Sequence, residues 1–323
     1  ALAALLLSVV SYHALFGGTV VGFVASAALV VSAVLPKAKM PPKRGIYERT
    51  TRGLRIYLAT PRLKGLLALN LAVASASAMV IVNTVVLVQS DFGLTQTATA
   101  AALAMFGAGS MLVALLLPKL LERLPERPVM LSGAALLALG LFVGFIAAKW
   151  FAALLPLWFV LGLGYSLAQT PSGRLLRRSA HSEDRPALFA AQFALSHACW
   201  LITYPLAGWL GAKAGLTVSF LALGALAAVS VALAAYLWRG SDEAELKHTH
   251  EGMSADHPHL ADVNAGSAPR GASHAHEYVI DVDHPRPAQH RKQIGISYGE
   301  IIAEQKVLRV EQLFRLRQTY SQA

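Results

Sequence analysis

Thiol and charge are what this chain has least of. Only 14% of its 323 residues are Asp, Glu, Lys or Arg, against 55% hydrophobic residues, a balance that excludes an ordinary soluble domain and points to a membrane class. Cys199 is the single cysteine and sits in an apolar run, which excludes a disulfide framework and a thiolate cluster for a soft metal or structural zinc. Any metal site must therefore use nitrogen and oxygen ligands. The chain also lacks a nucleophile-and-base arrangement, a phosphate-cradling glycine loop and a Walker-type motif, so neither an enzyme nor an ATP-driven pump is expected, and no cofactor. No charged leader precedes the opening Ala-Leu-Ala, which reads as the inside of a helix and not as a signal peptide.

What is present is apolar sequence in lengths that cross a bilayer, about 20 residues each. Seven such runs are found, at about 14–36, 65–89, 97–118, 129–148, 151–170, 187–212 and 215–238, with residues 1–11 resembling the end of another. The expected fold is an all-α membrane protein. Its divisions are 1–36, a basic linker at 37–64, six helices at 65–238, a polar histidine-rich tail at 239–292 and an amphipathic helix within 293–323.

The net charge of +10 would suit nucleic acid, but its distribution argues otherwise. Lys37, Lys39, Lys43, Arg44, Arg49, Arg52, Arg55, Arg62 and Lys64 face only Glu48 in the linker, and 119–128 and 173–186 are basic too. The opposite turns, near Asp91, Lys149 and Lys213, hold two basic residues. By the positive-inside rule the linker and the C-terminal tail are cytoplasmic, and nucleic-acid binding is not expected. Trp150, Trp209 and Trp238 lie near the ends of runs, where an aromatic belt would anchor them. Small residues such as Gly109, Gly133, Gly140 and Gly144 suit close helix packing.

Within the spans, polar residues form stripes that would line a transport path or stitch helices together. Asn70, Ser77 and Thr84 recur at seven-residue intervals, Gln192, Ser196, Cys199 and Thr203 share a helical spacing, and Tyr165 pairs with Gln169. His197 is the one ionisable side chain well inside a span, a position that calls for a partner or a cavity. No Asp or Glu lies mid-span between Gly65 and Trp238.

The tail carries three His-x-His pairs, His248/His250, His257/His259 and His274/His276, followed by His284. In an extended chain residues i and i+2 share a face, so each pair can offer two imidazoles to one ion. Imidazole without thiolate suits Ni(II), Co(II), Zn(II) or Cu(II), and copper is favoured on affinity alone. Poor in large apolar groups, the tail is expected to be disordered without ligand.

One span, a basic loop, six closely spaced spans and a cytoplasmic tail resemble the last part of a twelve-helix major facilitator superfamily transporter. "PKLLERLPER" is similar to that family's loop motif through Leu120, Glu122, Arg123 and Arg127, with Pro118 and Pro125 in place of glycines and Glu126 in place of a basic residue. "RPALFAAQFALSHACWLITYPLAGWLGA" and "HAHEYVIDVDHPRP" resemble the nickel-resistance exporters of the superfamily with histidine-rich C-terminal tails, the NreB type. The resemblance implies a multi-pass protein of the bacterial inner membrane that exports Ni(II) or Co(II) by proton antiport. It also implies that about five N-terminal helices of a full transporter are missing, and with them the coupling carboxylate. Partners so implied are the bilayer, a divalent metal as substrate or tail ligand, and protons; no protein partner is specified. Export of an organic molecule such as a siderophore or drug, or a truncated chain that binds metal without transporting it, are the other readings the residues allow.

Overall fold

The computed structural model describes residues 11–33, 46–238, 246–250 and 272–276, the last two segments by their backbone. Two compact units result, Ala1–Asp242 and Glu243–Ala323. The expected helix within 293–323 lies outside the described residues.

In the first unit α1 spans Tyr12–Ser32 and α2 Ile46–Ala59; α3 covers Pro61–Val85 and continues as a π-helical turn, Val86–Asp91. Then come α4 Gln96–Arg123, α5 Glu126–Ala147, α6 Phe151–Gln169, the short α7 Ser172–Arg177, α8 Arg185–Ala214 and α9 Leu216–Leu237. Six helices among the described residues are long and apolar enough to cross a membrane, and their bounds fall within seven residues of the six runs read from the sequence after the linker. The earlier run, expected at 14–36, appears as α1, whose apolar stretch Phe16–Ser32 is shorter than a full span. Its described side chains are exposed along the whole helix.

α3 is the pillar of the bundle. It packs on α9, α8, α5 and α6, and 72% of its most apolar window is buried, against 22% for α4 and 28% for α8. Leu63, Leu66, Leu69, Ala72, Met79 and Val80 of α3 are inaccessible or nearly so, and they meet Trp158, Leu161, Phe220 and Leu223 from α6 and α9. Backbones approach closely where glycine permits. A Cβ at Gly109 of α4 would stand 2.1 Å from the Phe159 carbonyl oxygen, and one at Gly162 of α6 2.0 Å from that of Phe106. The π turn ends at Gly93, whose φ of +64° is one that glycine adopts without strain.

Tryptophan behaviour divides. Trp150 and Trp209 are 62% and 61% exposed, as an interfacial belt requires. Trp238 is instead buried, its side chain filling the space above Gly65, and its carbonyl accepts from Arg127 Nε at 2.6 Å. A glycine on the facing helix offers the ring a packing site that its position at a span's end does not reveal.

Of the second unit two short segments are described. Strands β1 (Leu246–His250) and β2 (Ala272–His276) pair antiparallel with His248 opposite His274. The His-x-His sequence has the two-residue period of a strand, which suits it to such pairing.

Candidate functional site

The polar stripes read from the sequence converge chiefly on the seam between α3 and α8. Asn70, Ser77 and Thr84 are all buried on α3. Thr84 Oγ1 donates to the Val80 carbonyl and accepts from Trp158 Nε1 at 2.9 Å, tying α6 to the pillar. Thr203 of α8 donates to the Ala74 carbonyl at 3.2 Å, and Asn83 Nδ2 donates to the Ala207 carbonyl at 3.3 Å, so the seam is stitched from both sides. Asn70 Nδ2 and Ser77 Oγ are buried without a hydrogen-bond partner on the same helix.

Gln192 and Cys199 lie on the buried side of α8 with Thr203. His197 does not. Five residues at 100° each place it about 140° around the helix from Gln192, and Ser196 is half-exposed between the two. His197 Nδ1 lies 2.7 Å from the Phe193 carbonyl, so that nitrogen carries the proton and Nε2 is left as an acceptor in the neutral ring. Phe193 and Trp200 flank it at centroid distances of 3.9 and 5.3 Å, and Trp200 stacks on Tyr204 at 6.0 Å. His197, Trp200 and Tyr204 line an open groove of about 580 Å³ with Ala194, Leu201 and Pro205. Tyr165 and Gln169 are half-buried on α6, where Tyr165 meets Phe106 of α4 edge-on and Gln169 Oε1 is buried without a partner. The structure therefore buries Asn70, Ser77, Thr84 and Gln192, with Thr84 tied to α6 and Gln192 to Tyr57 of α2, and sets Ser196 and His197 toward a more exposed face of α8.

At the basic end the structure reveals what sequence spacing missed. Glu126, buried to 3% exposure, forms an ion pair with Arg174 Nε at 2.7 Å and accepts a hydrogen bond from Arg178 Nη1 at 2.8 Å. Asp184 is gripped by both arms of Arg52, at 2.5 and 2.7 Å, and Arg62 reaches Ser179 and the Arg178 carbonyl. Tyr57 is fully buried and donates to Gln192 Oε1 at 2.5 Å. Burial drives its phenol well above the ordinary range, the neighbouring Cys199 adding to the rise and the Asn70 amide opposing it. Of the loop-motif residues, Arg127 caps the α9 terminus through the Trp238 and Ala235 carbonyls, while Leu120 packs with Val113, Leu117 and Val129. Glu122 is exposed.

The geometry is that of one helical half of a transporter: a central helix, polar groups along its seam, and ion pairs fastening one end. The sequence model of the Major Facilitator Superfamily matches residues 66–274, more than half of the chain. The chain belongs to the major facilitator superfamily. It is accordingly a multi-pass membrane protein of a secondary-transporter family, whose members are generally not enzymes. None of the curated proteins compared with it matches. Among the described side chains of this superfamily member no group of three or more His, Cys, Asp and Glu could hold a metal ion. His257, His259 and His284 lie outside the described residues; His248, His250, His274 and His276 fall on the two strands.

Proposed function

We propose that this superfamily member exports a divalent transition metal, Ni(II) or Co(II), and that its histidine-rich tail collects the ion on the cytoplasmic side. The observation that carries the reading is the joining of a superfamily helical half to three His-x-His pairs within forty residues of its last span. Nitrogen-rich ligation without thiolate suits these ions, and a tail that must be ordered on binding releases them readily. Proton antiport is part of the proposal. Buried Asn70, Ser77, Thr84 and Gln192 and the His197 groove supply polar groups within the helical half, but no mid-span carboxylate lies between Gly65 and Trp238.

Flux into proteoliposomes tests it. With the whole chain reconstituted, Ni(II) movement driven by an imposed pH gradient and reduced on deleting 239–323 supports the proposal; absence of flux with every metal tried leaves a metal-binding membrane fragment.

The aromatic groove on α8 favours a second reading, export of an organic cation or siderophore, because Trp200 and Tyr204 offer faces that such molecules stack on. Flux that survives deletion of the tail but falls on Trp200→Ala would favour it.

A further inference from the structure

We propose that α2 is a strap that holds the first turns of α8 on the bundle, and that the buried side of α8 opens to solvent when the strap lifts. This holds whatever the bundle carries, so the strap and the metal reading stand or fall separately.

Three holds of different chemistry follow one another along one side of α2. Arg52 grips Asp184 through two hydrogen bonds of 2.5 and 2.7 Å, and Asp184 is the N-cap from which α8 begins. Beside it the two backbones come so close that a Cβ on Gly53 would stand 2.0 Å from the Ala187 carbonyl oxygen, an approach that glycine alone allows. One turn farther on, Tyr57 is fully buried and donates to Gln192 Oε1, with Ile56 buried next to it. An ion pair, a backbone contact and a buried hydrogen bond thus meet the start of α8 in order.

The strap is held from that side. On the other, Leu54, Arg55 and Leu58 are exposed, and the Arg55 guanidinium turns back to Thr51 of its own helix. α2 packs on α8 far more than on α3, to which Thr60 joins it.

α8 is bonded to α3 farther along, where Thr203 donates to the Ala74 carbonyl and Asn83 donates to that of Ala207. Cys199 lies between those bonds and Gln192. At 100° per residue it shares their side of the helix, and it is buried to 8% exposure. Only 28% of the most apolar window of α8 is buried, so the stretch before Thr203 leans on α2. Local opening is drawn from elements with few buried contacts, and lifting α2 removes the polar holds of this one.

The single cysteine of the chain reports the opening without an added probe. The full chain in detergent is treated with N-ethylmaleimide and the alkylation of Cys199 followed by mass. Where reclosing outpaces alkylation, the rate tracks the population of the open form. Arg52→Ala leaves the Asp184 carboxylate without its grip and should speed alkylation about ten-fold or more. Tyr57→Phe loses one buried hydrogen bond and should speed it about five-fold. Gly53→Ala drives a methyl toward the Ala187 carbonyl and should act in the same direction. Gly162→Ala forces α4 from α6, away from α2, so it should lower the unfolding temperature yet leave alkylation within about two-fold of wild type. Wild-type rates in both Arg52→Ala and Tyr57→Phe would overturn the strap. So would an equal rise in Gly162→Ala, because general unfolding would then be what exposes Cys199. Tyr57→Phe removes a single hydroxyl and keeps the test decisive should Gly53→Ala fail to fold.

Discussion

Glu126 shows how much a single residue can hide. Against the loop motif it reads as a departure, an acid where a base is expected, yet it anchors Arg174 and Arg178 from a site only 3% exposed. Asp184 does the same for Arg52 across 132 residues of sequence. Spacing along the chain cannot show such partners, because what makes them is the meeting of helix ends. Removing one partner strips a partly buried charge of this ion pair. Since the Arg52 side chain keeps 21% of its exposure, Asp184→Ala should cost about 2–3 kcal/mol, below the ~3–5 kcal/mol of a fully buried pair. A lower unfolding temperature in detergent checks this; no change would mean that the guanidinium simply turns to solvent. Tyr57 makes a second prediction, through pH. The folded protein holds the phenolic proton to higher pH than the unfolded chain, whose phenols release near pH 10. Its contribution is therefore complete below about pH 10 and is lost as pH rises beyond it. Tyr57→Phe should be less stable than wild type by about 1 kcal/mol at neutral pH, Gln192 Oε1 losing its donor, with the gap narrowing above pH 10. Unfolding temperatures of both forms between pH 8 and 11 would show the convergence.

At the scale of elements the sequence was readily legible. Six apolar runs gave six helices with nearly the right ends, because length and hydropathy are set by the bilayer and need no knowledge of neighbours. What hydropathy cannot rank is burial. α3 and α4 read alike in length and apolar character, yet one is the pillar and the other is exposed over most of its length. The stripes of α3 and α8 were visible as periodicity, but their burial in a common seam was not. His197 likewise stood out as the lone ionisable residue, without any sign that it turns about 140° from the stripe beside it. Glycines separate two kinds of position on otherwise similar helices. Gly162→Ala puts a methyl 2.0 Å from the Phe106 carbonyl oxygen and must push α4 from α6, whereas Gly107→Ala meets nothing within 4 Å. Overpacking of this kind costs about 1–3 kcal/mol. The first variant should unfold several degrees lower in detergent and the second at or slightly above the wild-type temperature. Equal behaviour would mean that the two helices are not held at this distance.

For the whole membrane unit, function depends on which side of the bilayer each end faces. The end that holds α2, the α4–α5 turn and the α7–α8 turn carries Arg52, Arg55, Arg62, Arg123, Arg127, Arg174, Arg177, Arg178 and Arg185; the other end has Lys149 and Lys213. Several of these arginines are engaged with Glu126, Asp184 or backbone carbonyls, so the same charges that orient insertion also fasten the folded bundle at that end. Orientation by the positive-inside rule depends on the number of basic residues near the spans, and pairing after insertion does not cancel it. On that rule we propose that the basic end is cytoplasmic, so that a tail leaving α9 at that end would meet cytoplasmic metal. Cys199, buried and alone, makes the test simple once replaced by serine. In that background Lys149→Cys and Lys213→Cys, both at exposed positions, should react with a membrane-impermeant maleimide on intact cells, and Glu122→Cys only after permeabilisation. The reverse pattern would put the histidines outside. Export fed by the tail would then be impossible, because the ion it holds would already have crossed.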